Sequence, residues 1–139
     1  MRTVRLTRQD TGTDLAVNPE NIVAVVPASE KGKPLVGISG LMLPGGVIVP
    51  VGGSPAAIAA QLGPDFVQLS ESGSYCNRRM VLLVEAGRDK EERTILGVVV
   101  AILLGAPKPL VVSGSVGEVA QALELGGGKQ DQRSRLVLQ

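Results

Sequence analysis

Apolar and polar residues alternate through Thr3-Val4-Arg5-Leu6-Thr7-Arg8, which places Val4 and Leu6 on one face and predicts a half-exposed strand. Gln9-Asp10-Thr11-Gly12-Thr13 supplies hairpin chemistry, and Leu15-Ala16-Val17 returns as a second strand. Asn18-Pro19-Glu20-Asn21 then breaks the pattern, because Asn favours a turn and Pro19 fixes φ and lacks a donor. Residues 22–26 read as a third strand ended by Pro27, and residues 28–33 as a solvated loop. Two more strands, 35–42 and 47–51, flank the hairpin signal Leu43-Pro44-Gly45-Gly46. Ser54-Pro55 opens a short helix, with the serine as cap and Pro at the first helical position. Ile58 and Leu62 share its buried face, and Gly63-Pro64 ends it.

The same order returns in the second half. Phe66-Val67-Gln68-Leu69 answers the first strand, Asn77 answers Asn18, and residues 80–84 answer the Ile22 strand. Residues 87–93 form a matching charged loop. Residues 94–104 predict a long strand buried on both faces, followed by a Gly105-Ala106-Pro107-Lys108 hairpin and a last strand over 109–112. Ser115 and Glu118 have the spacing of a capping box, with Val119, Ala122 and Leu123 as the buried stripe behind it. Ser54 and Ser115 lie 61 positions apart. The chain therefore reads as mainly β. Residues 1–63 and 64–125 are two related units, each with about five short strands and one short helix, packed as a pseudo-twofold body. Units of this size bury little surface alone, so they are expected to share a core.

Residues 126–139 form a tail. Gly126-Gly127-Gly128 reads as a flexible joint, and Leu136-Val137-Leu138 as a candidate terminal strand that pairs with a partner's sheet edge.

Over residues 4–62 the sequence resembles the small flagellar FlbD-type family and short phage and bacterial proteins of like pattern. The residues that carry the resemblance are Leu6-Thr7-Arg8, Val17-Asn18-Pro19-Glu20-Asn21-Ile22, Val49-Pro50-Val51 and Ser54. The second half is similar in outline through Asn77, Val111-Val112 and Ser115, as in a tandem duplication. The resemblance implies a fold built on turn formers and caps, and no catalytic residues.

Composition narrows the chemistry. The chain has one Phe, one Tyr and no Trp, so an aliphatic core is expected. Fourteen basic against thirteen acidic residues leave a net charge of +1, which gives no long-range field for nucleic acid or an anionic membrane. There is no histidine to serve a triad, a metal site or the single cysteine, and Cys76 reads as a half-buried structural thiol. Gly126-Gly127-Gly128-Lys129 lacks phosphate-loop spacing, and Asp89, Glu91 and Glu92 are interleaved with Arg88, Lys90 and Arg93 as in a solvated charged loop. No cofactor or metal is expected.

The start of the chain lacks the apolar run of a signal peptide. The longest uncharged apolar stretch, residues 95–106, is short of the roughly 20 residues of a membrane helix. A cytoplasmic protein, or a virion component if phage-encoded, is expected. The predicted function is a non-enzymatic structural or assembly protein that binds itself or a larger assembly, such as a capsid decoration or head–tail protein. A small flagellar-type regulatory or adaptor protein is the alternative, and a weak nucleic-acid binder is third.

Overall fold

The structure, a computed structural model, describes residues 2–69, 73–89, 91, 93–104 and 109–125. Among these, ten strands and two α-helices follow one another in an order that repeats. The first unit contains β1 (Val4–Thr7), β2 (Asp14–Val17), a 3-10 turn (Pro19–Asn21), β3 (Ala24–Glu30), β4 (Lys33–Met42), β5 (Ile48–Gly52) and α1 (Pro55–Leu62). The second contains β6 (Phe66–Gln68), β7 (Tyr75–Asn77), a 3-10 turn (Arg78–Met80), β8 (Leu83–Arg88), β9 (Thr94–Leu103), β10 (Leu110–Ser113) and α2 (Val116–Leu125). Mainly β is therefore the class of this fold.

The repeat of elements is not a repeat of sheets. β1 and β2 form a two-stranded ribbon, β10-β9-β8 a three-stranded sheet, and β5-β4-β3-β7-β6 a five-stranded sheet. The β6–β7 hairpin of the second unit has thus joined the sheet of the first, with Ala24 opposite Cys76 and Val25 opposite Tyr75. A twofold arrangement would pair β2 with β8 in return, and no such ladder forms among the described residues.

Two aliphatic clusters fill the interior. One packs α1, through Ile58, Ala59 and Leu62, against Val25, Leu41, Val49 and Val51, and it also takes Phe66 from the second unit. The other packs Val119 and Leu123 of α2 against Val100, Ile102 and Val112, and it also takes Val23 and Ala24 from the first. Each fully buried side chain of this kind contributes about 1.5–3 kcal/mol, so the exchange of residues across position 63 binds the two units together.

Several expectations are corrected. Residues 28–33 are not a loop: β3 continues to Glu30 and β4 starts at Lys33, around a turn in which Lys31 and Gly32 both have positive φ (52° and 79°). Two such residues give the turn twist that matches a tight hairpin. Pro27 does not end β3 but sits where its register with β4 shifts, a position that tolerates a missing donor. Likewise β8 runs on to Arg88, so only residues 89–93 separate it from β9. The third strand begins at Ala24 rather than Ile22, and its counterpart at Leu83 rather than Met80, because a 3-10 turn precedes each. Tyr75–Asn77, where the sequence pattern predicts no strand, is one. Finally, β9 is not buried throughout: Val100 and Ile102 are enclosed, whereas Leu96 near its start is 80% exposed.

Candidate functional site: the junction and its exposed counterpart

The predicted cap residues fall at four corners. Ser54 Oγ accepts from Ala57 N–H (3.2 Å), with Pro55 at the first position of α1. Ser115 Oγ accepts from Glu118 N–H (3.2 Å), and the Glu118 carboxylate accepts from Ser115 N–H (3.3 Å), which completes the capping box. Gly53 and Gly114, immediately before the two serines, have φ of 121° and 124°, so both strand-to-helix corners are built alike. They differ behind the corner. Ser39, fully buried on β4, donates from Oγ to Gly53 O (2.7 Å), and the apolar Val100 is enclosed on β9.

The two asparagines cap their 3-10 turns in the same way: Asn18 Oδ1 accepts from Glu20 N–H and Asn77 Oδ1 from Arg79 N–H, both at 3.1 Å. Asn77 does more. Only 1% exposed, it donates from Nδ2 to Ile22 O (2.9 Å) and Pro19 O (3.3 Å), and its N–H donates to Val23 O (2.9 Å). Both polar groups of this buried side chain are therefore satisfied, the amide oxygen by its own turn and the NH₂ by the opposite unit's turn. Nothing in the sequence separates Asn77 from Asn18 in this respect.

Arginines are spent on structure. Arg2 donates to Leu62 O (3.0 Å) and Gln61 O (2.7 Å) at the end of α1, and Arg78 donates to Leu123 O (3.2 Å) and Glu124 O (2.8 Å) at the end of α2. Positive charge on those carbonyls offsets the negative end of each helix dipole. Arg78 also meets Asp65 (2.9 Å), Arg5 meets Asp14 (3.3 Å), and Arg8 meets Asp10 (2.7 Å). The Arg8 hydrogen bond holds the Asp10 carboxyl below its ordinary range. Asp89 organises the β8–β9 turn by accepting from Glu91 and Arg93 N–H (both 2.9 Å), and the donor from Arg93 is the main cause of its lowered pKa.

The junction leaves a cleft of about 110 Å³ lined by Arg2, Asn18, Asp65, Asn77 and Arg79 among others. A shallower groove of about 430 Å³ runs between Arg78, Arg79 and α2. A third, of about 350 Å³, lies along Pro27, Leu35, Ile38 and Ile48. Their linings bring no cysteine to an acid or base. Cys76 itself is fully buried against Val67 and Leu69, and desolvation pushes its pKa up to about 12, the reverse of what a nucleophile needs. Among the described residues, no group of three or more acidic or sulfur ligands is placed to hold a metal, and no helix is long and apolar enough to cross a membrane.

The surface also carries exposed aliphatic side chains. Val36 is 97% exposed on β4, Leu96 80%, and Leu82, just before β8, 71%. Leu136, Val137 and Leu138 lie outside the described residues. Compared with protein-family models, with curated proteins and with solved structures, the chain matches none.

Proposed function

We propose that the chain is a non-enzymatic structural protein that assembles with itself or into a larger particle, in the form of a phage capsid decoration or head–tail component. The observation that carries this reading is the set of exposed aliphatic residues: Val36 and Leu96 near the turn ends of β4 and β9, and Leu82 beside the edge strand β8. Exposed apolar groups beside open strand edges favour protein contact over solvent. The charged residues support it from the other side: Arg2, Arg5, Arg8 and Arg78 are committed to carbonyls or carboxylates, so they form no free basic stripe for phosphates.

Light scattering on eluted fractions, read beside oligonucleotide binding over a salt series, tests the reading. A larger-than-monomer species with no salt-sensitive oligonucleotide binding is expected. A stable monomer that binds oligonucleotides tightly and loses them in salt overturns it, and a monomer that captures only a regulatory partner favours the flagellar-type alternative. Deletion of residues 126–139 is expected to weaken assembly and leave the fold intact; unchanged assembly rules out Leu136-Val137-Leu138 as the joining strand.

A further inference from the structure

Val23 N–H donates to Met42 O (2.8 Å), and Leu82 N–H donates to Leu103 O (2.7 Å), so Leu82 holds in the second unit the place Val23 holds in the first. Their surroundings are opposite. Val23 and Ala24 are 0% exposed because β7 lies along β3 and Asn77 is seated on the turn before it. Leu82 and Leu83 are 71% and 44% exposed, and among the described residues β8 pairs with β9 alone.

By the same equivalence β2 corresponds to β7, and Asn18 to Asn77. β2 pairs with β1 alone, Ala16 is exposed, and the Asn18 amide NH₂ has no partner among the described residues. Among the described residues there is thus one strand edge filled by a hairpin, one like edge left open, and one like hairpin, tied to β5 at Arg8 and Gln9, whose β2 edge is left unpaired. Although Asn18 and Arg79 line one cleft, no ladder joins β2 to β8 within the chain among the described residues.

We infer that the open edge at β8 takes β2 from a second copy of this chain, with Val17 opposite Leu83 and Ala16 opposite Val84. Asn18 Nδ2 then donates to the carbonyls of the Arg78–Val81 turn, as Asn77 does at Pro19 and Ile22. The internal junction specifies the occupant, since the same chain already fills the equivalent edge with the equivalent element. Because the donor and acceptor surfaces differ, the contact is head-to-tail and propagates to a ring or a filament. This inference rests on the assembly reading above and names its interface.

Two variants test it. Leu82→Asp/Leu83→Asp spoils the acceptor edge, and Ala16→Glu/Asn18→Asp spoils the donor while Asp keeps the cap on Glu20. Circular dichroism checks their folds, with Leu82→Ser as the acceptor variant should the first unfold. In sedimentation velocity the wild type is expected to form species above monomer, each variant to stay monomeric, and their equimolar mixture to form a one-to-one heterodimer, since one intact donor then meets one intact acceptor. Variants that assemble like the wild type overturn the interface and leave the assembly reading standing, as does a mixture that stays monomeric. A wild type that is monomeric throughout overturns the interface, and if it also stays out of any particle it removes both.

Discussion

Replacing Asn77 with alanine probes the junction most directly. The side chain is 1% exposed and makes three hydrogen bonds: to Ile22 O at 2.9 Å, to Pro19 O at 3.3 Å, and from Arg79 N–H at 3.1 Å. Pro19 O keeps a second donor in Ile22 N–H (3.2 Å), so truncation strands one carbonyl and one N–H rather than three groups. The buried Ile22 carbonyl left without a partner costs about 1–3 kcal/mol and the part-buried Arg79 N–H about 1, so a loss of roughly 2–4 kcal/mol is expected. At about 3 °C per kcal/mol for a chain of this length, the melting temperature should fall by roughly 6–12 °C. Urea unfolding followed by circular dichroism gives the free energy directly. Asn18→Ala is the control: it removes the matching cap bond from a half-buried residue and should cost about 1 kcal/mol or less. Equal losses at the two positions, or less than 1 kcal/mol at Asn77, would refute the claim that the junction is built on this amide.

Gly53→Ala should cost about 1–3 kcal/mol, since φ is 121° and a Cβ would stand 2.9 Å from Ile58 Cδ1; at Gly114 the nearest side-chain atom is 3.9 Å away, so Gly114→Ala should unfold at higher denaturant than Gly53→Ala. Cys76 should resist a thiol reagent at pH 8 in the folded state and react fully in denaturant. Its pKa is raised from an ordinary 9.0 to about 12, so the stability this buried thiol contributes is complete below about pH 9 and is lost as pH rises toward 12. That alkaline slope should be shallower in Cys76→Ala, and an identical slope in the two proteins would show that Cys76 is not its source.

The sequence carried most of what is local. A period-two run located β1, hairpin signals before apolar runs located β2, β5 and β10, and the Ser54-Pro55 and Ser115-x-x-Glu118 signals located both helices, because those features are set by a residue and its near neighbours. Local signals failed where pairing extended them: residues 28–30, read as loop, are strand because β4 returns alongside. They also failed at β7, three residues held in place by β3 and β6 rather than by any pattern of their own. Above all, Asn18 and Asn77 look alike in sequence, yet Asn77 is enclosed beside a shared sheet and Asn18 is only half-buried beside a ribbon of two strands. A strand's hydrogen-bonding groups are the same whichever edge they meet. Which hairpin joined which sheet was settled by burial of Val23, Ala24 and Cys76 between the two units, a long-range packing choice that no stretch of the chain encodes alone.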